Sequence, residues 1–106
     1  MVTSQKLVDE EPEVAAGAVR AIVKTLNALK TDASLATKVA QNLFPEKETG
    51  LIKTLIERDQ PYYDANISTA LVDGMNAFAS NARLLEGGPV AYDDIIATQF
   101  RDLWNG

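Results

Sequence analysis

A chain of 106 residues with a net charge of −5, 46% hydrophobic and 24% charged residues, is long enough for one modest core. Its acidic balance, with no two adjacent Lys or Arg, argues against nucleic acid and anionic membrane as partners, since both demand a basic face. Cysteine and histidine are both absent, which excludes disulfides, thiolate catalysis and Cys-ligated zinc, and removes the usual general base near neutral pH.

No apolar stretch approaches the ~20 residues of a spanning helix. The opening MVTSQKLVDEEPE has no hydrophobic signal core, so any export signal is expected outside this sequence. Val2-Thr3 reads as the end of a short strand, and Ser4 as a helix N-cap ahead of QKLVDEE. Pro12, flanked by Glu10, Glu11 and Glu13, suits a first helical turn. From Val14 to Leu29, the positions Val19, Ile22, Val23, Leu26 and Leu29 recur at three and four, the period of an amphipathic helix. The small residues Ala15, Ala16, Gly17 and Ala18 allow another element to approach closely.

Thr31-Asp32 breaks that helix and caps the next, where Leu35, Val39, Ala40, Leu43 and Phe44 share one side until Pro45. A third helix is predicted over 46–58, with Leu51, Ile52, Leu55 and Ile56 as its stripe and Gly50 a weak point. Residues 59–66 read as a loop in which Asp64 or Asn66 caps the next helix. That fourth helix, about 67–86, has the broadest apolar face: Leu71, Val72, Met75, Phe78, Ala79, Ala82 and Leu85. Gly87 is the expected left-handed residue at its end, and Pro89 forbids continuation. A fifth helix from Tyr92 carries Ile95, Ile96, Phe100, Leu103 and Trp104, with Asp93 and Asp94 in its first turn. The expected class is mainly α: about five amphipathic helices, one short N-terminal strand, and a single domain or domain fragment over 1–106.

Candidate chemistry is sparse. Asp9, Glu10, Glu11 and Glu13 lack the glycine-containing turn of a calcium loop and read as charge favouring a helix start. Asp93 and Asp94 point about 100° apart on a helix, unsuited to acting on one bond. Gly87-Gly88-Pro89 lacks the lysine and spacing of a phosphate loop, and Asn66-Ile67-Ser68 is a sequon that matters only in a eukaryotic secretory pathway. Tyr62 and Tyr63 are expected to pack their rings on the core, as are Met75 and Phe78, with Trp104 pinning the last helix. No catalytic site, metal site or cofactor is expected, and the chain reads as a non-enzyme.

Two stretches carry a family resemblance. VTSQKLVDEEPEVAAGAVRAIVKTLNAL, with Pro12, Val14, Val19, Ile22 and Val23 in register, resembles the part of ABC-transporter periplasmic substrate-binding proteins that follows the second hinge crossing. The type is that of the nitrate/sulfonate/taurine and thiamine-precursor proteins. LLEGGPVAYDDIIATQF resembles that family's ending through Leu84, Pro89, Val90, Tyr92, Asp94, Ile95, Ile96 and Phe100. Ala97 stands where the family usually has an acid, and the double glycine is a variation. The resemblance implies the C-terminal helical part of a two-lobed α/β type II periplasmic-binding fold, in a parent that captures a small molecule for an ABC permease. It implies a periplasmic or extracellular-facing location and no catalysis. No ligand-binding residue carries over; Thr3 and Ser4 lie nearest the expected hinge. Helices meant to cover a sheet leave an apolar face open without it, so self-association or loose packing of the isolated chain is expected. The alternative is a free-standing helical interaction or dimerisation module.

Overall fold

The computed structural model describes all 106 residues, 72% of them helical and none in a strand. Six α-helices occur in order: α1 (Gln5–Glu10), α2 (Pro12–Thr31), α3 (Ser34–Leu43), α4 (Glu46–Asp59), α5 (Thr69–Asn81) and α6 (Tyr92–Ile95). Two 3-10 turns, Gln60–Tyr62 and Thr98–Leu103, complete the chain. The mainly α class holds, whereas the expected strand at Val2-Thr3 does not form. Val2 is 98% exposed, and no second strand lies alongside to complete a ladder.

Local signals account for the first four helices. Ser4 Oγ accepts the Leu7 N–H at 3.2 Å and starts α1. Pro12 drives Glu11 out of the helical region (φ −134°, ψ 59°), so α1 closes there, and Pro12 itself begins α2. At the far end of α2, Asp32 leaves the helix and its carboxylate accepts the Ser34 N–H at 2.9 Å. The last α2 carbonyls also receive a distant donor, because Gln60 Nε2 bonds to Leu29 O at 2.6 Å and Lys30 O at 2.9 Å. That side chain satisfies carbonyls with no partner inside the helix and ties the end of α4 to α2. Phe44-Pro45 separates α3 from α4, and α4 runs through Gly50 without a break.

The second half departs more from expectation. The fourth predicted helix is shorter at both ends. Ser68, not Asp64 or Asn66, is its N-cap, with Oγ accepting the Leu71 N–H at 3.1 Å. It closes well before Gly87, with Arg83 in the left-handed region at φ 56°. Leu84 N–H donates to Ala79 O at 2.8 Å and Arg83 N–H to Ser80 O at 3.1 Å, the paired bonds of a Schellman turn. A Cβ is strained in that conformation, so Arg83→Gly is expected to stabilise by about 0.5–1 kcal/mol after the extra unfolded-state freedom of glycine is subtracted. Slower amide exchange at residues 83 and 84 is the expected reading, and faster exchange would contradict this ending.

The predicted fifth helix is broken in two. The chain turns extended at Ile96 (φ −105°, ψ 121°), leaving the one-turn α6 and the 3-10 turn that carries Phe100. Adjacent β-branched Ile95 and Ile96 resist helical propagation, and a four-residue helix is too short to sustain itself. The redirection brings both Phe100 and Trp104 inward, each 8% exposed. Phe100 meets Val8, Ala15 and Ala16, and Val19, Ala97 and Leu103 pack around them. The small pair Ala15-Ala16 thus admits an aromatic ring, as their size suggested; Gly17 and Ala18 stay exposed. Trp104, expected to pin a continuous last helix, is instead buried just after the 3-10 turn.

The link to α5 combines hydrogen bonds with an apolar seam of Val72, Ala79, Val90, Ile95 and Ile96. Asn76 spans the Val90 backbone, accepting its N–H at 2.9 Å and donating to its carbonyl at 2.8 Å. Tyr92 OH donates to Ile67 O, and Arg101 lies 5.9 Å from the centroids of both Tyr92 and Trp104. The hydrogen bonds hold the 88–96 segment along one side of α5, where Val72 is buried.

Candidate functional site

The side chains expected to be core are largely open. Only nine of 106 residues are buried, and none of the large side chains is fully so. Accessible surface is 8016 Å² where a folded monomer of 11.5 kDa exposes about 5,800 Å². The Cα radius of gyration is 16.8 Å against about 13 Å for a compact chain of this length. The excess is roughly 2,200 Å², and large apolar side chains stand exposed along three surfaces.

The first surface is a groove of about 480 Å³ between α2, α3 and α4, walled by Leu29, Leu35, Val39, Phe44 and Ile52. Lys24 is its only ionisable side chain. It exists because the one-sided pattern of α3 buries Ala40 while Val39, Leu43 and Phe44 stay 57%, 70% and 48% exposed. The second is a groove of about 450 Å³ on the other flank of α2, formed by Val2, Ile22, Leu26, Ile95, Ile96 and Trp104, with Asp64 as its only ionisable side chain. The third is the apolar face of α5. Val72 is buried, Leu71, Met75 and Ala79 line a groove with Val90, Ile95 and Ile96 of the tail, and Leu71, Met75 and Phe78 stay more than half exposed. Met75 and Phe78 therefore are not core side chains. Their helical spacing identifies a shared face, and the tail covers it only in part, leaving Met75 58% and Phe78 61% exposed.

The polar groups expected to be inert occupy structural positions. Ser4 is spent on its cap, and Thr3 lies on the rim of the second groove. Asp9 accepts from Gln5 Nε2 at 2.8 Å, and Glu10 stands 4.0 Å from Lys6 in an exposed pair that contributes little. Nowhere do three or more acidic side chains converge as a metal site would require. Tyr62 is exposed, contrary to the expected inward packing, while Tyr63 is half-buried. Asn66 of the sequon bonds to Asp64 Oδ1 and Asn105 Oδ1. Gly87 and Gly88 take φ of 84° and 94°, which only glycine adopts freely, and serve the turn into Pro89. Gln60, Asn76 and Arg83 had no local signature that marked their roles.

Electrostatics are local. The Asn66 backbone N–H and its side-chain amide hold the Asp64 carboxyl below the usual carboxylate range. Ser34, through its hydroxyl and its backbone N–H, does the same to Asp32. Arg58 lowers Asp59, and is itself raised, in an exposed pair at 2.7 Å. A carboxyl that is depressed in the folded state binds fewer protons there than when unfolded. Its contribution is therefore complete above the ordinary value of 3.8 and is lost as pH falls through the depressed one. Melting temperature should drop as pH falls below about 4. Asp32→Asn with Asp64→Asn should flatten that dependence, and an unchanged slope would show that these turns contribute nothing.

The chain brings together no group of three or more Asp or Glu side chains. It offers apolar surface that excludes water only when another apolar surface is laid on it. No helix is long and apolar enough to cross a membrane. No protein-family model, curated protein or solved structure matches the chain.

Proposed function

We propose that the chain is the C-terminal helical portion of a solute-binding protein, a non-catalytic receptor that captures a small molecule and delivers it to an ABC permease. The observation that carries this reading is the extent and spread of the uncovered surface. A standard protein interface buries about 800 Å² on each partner; the whole-chain excess of accessible surface here is more than twice that, and exposed large apolar side chains lie on both flanks of α2 and along α5. Its natural cover is a large body touching several sides, as the lobes of a binding protein are to their own outer helices. The resemblance of residues 2–29 and 84–100 to that family supplies the identity of the body. A periplasmic or outward-facing location follows from the same reading, and the small-molecule ligand belongs to the parent's lobes.

The test is the coding sequence upstream of the Met1 codon, expressed as one continuous frame. The expected product has two lobes, runs as a monomer and gains thermal stability with a small-molecule ligand. An in-frame stop codon and a promoter immediately before Met1 would overturn the proposal.

A second reading, a free-standing helical interaction or dimerisation module, has one observation in its favour. Leu71, Met75 and Phe78 are 53%, 58% and 61% exposed in a single stripe of α5, the form a helix presents to a partner helix. A stripe of three side chains leaves the two α2 grooves uncovered, which is why the first reading is preferred.

A further inference from the structure

We draw no further inference here: the strongest candidate, the apolar groove between the N-terminal segment, α2 and the C-terminal turn, belongs to the surface already assigned to the rest of a larger protein, and nothing in the structure shows what else covers it.

Discussion

The isolated 106-residue chain is expected to elute as a mixture of associated species and to melt over a broad range. The expectation rests on the surface, not on composition, because 46% hydrophobic residues is an ordinary share. What is unusual is where those residues lie: Leu43, Leu51, Met75, Phe78 and Leu84 are each more than half exposed. Large exposed apolar patches drive association, and a net charge of −5 spread over this surface is a modest deterrent. Sparse burial also weakens cooperativity, since the buried cluster around Phe100 joins only α1, α2 and the C-terminal turn. Size-exclusion chromatography with light scattering should give masses that rise with concentration, and a dye that binds apolar surface should fluoresce before any heating. A sharp monomer of 11.5 kDa with a single cooperative transition would sink the proposal that these faces require the rest of a binding protein.

Most helix boundaries in the first half were legible because their causes are local. Ser4 caps α1, Pro12 ends it and opens α2, Asp32 separates α2 from α3, and Pro45 separates α3 from α4; each acts within four residues of its own position. The second half was less legible because its determinants act at a distance or through an atypical residue. Gln60 reaches carbonyls 31 and 30 positions back, and Asn76 pairs with a backbone 14 positions on. The left-handed residue ending α5 is an arginine, although two glycines come within five positions after it. The Val2-Thr3 strand failed for a related reason, since a strand exists only with a neighbour to bond.

The candidate surface was half legible. Periodicity correctly put Leu71, Val72, Met75, Phe78 and Ala79 toward one broad side of α5, but a pattern carries no information about how much of that side is covered. The structure splits it, with Val72 at 5% and Phe78 at 61% exposure. The same pattern extended a helix from Tyr92 through Trp104, where consecutive Ile95 and Ile96 instead turn the chain and deliver Phe100 to α2. The grooves beside α2 arise from that turn and from the α3–α4 hairpin, neither of which a one-dimensional period describes.

Two phenylalanines that the pattern treats alike should then respond oppositely to truncation. Phe100→Ala removes the ring that joins Val8 of α1 to Ala15 and Ala16 of α2, and the small side chains around it cannot reach across the cavity. The usual cost of such a change is about 3–5 kcal/mol, comparable to the whole stability of a marginal domain. Amide exchange should show α1, the first half of α2 and the 98–103 turn losing protection together, a reading that does not depend on a two-state transition. Phe78→Ala, on the open stripe of α5, should change stability by less than about 0.5 kcal/mol in the isolated chain and reduce its association. In the full-length parent that ordering is expected to change. If the α5 stripe is packed beneath the rest of a binding protein, Phe78→Ala there should cost several kcal/mol, about as much as Phe100→Ala. A Phe78→Ala variant as stable as the unsubstituted parent would leave α5 facing solvent, and would favour a partner helix or a second copy as its cover.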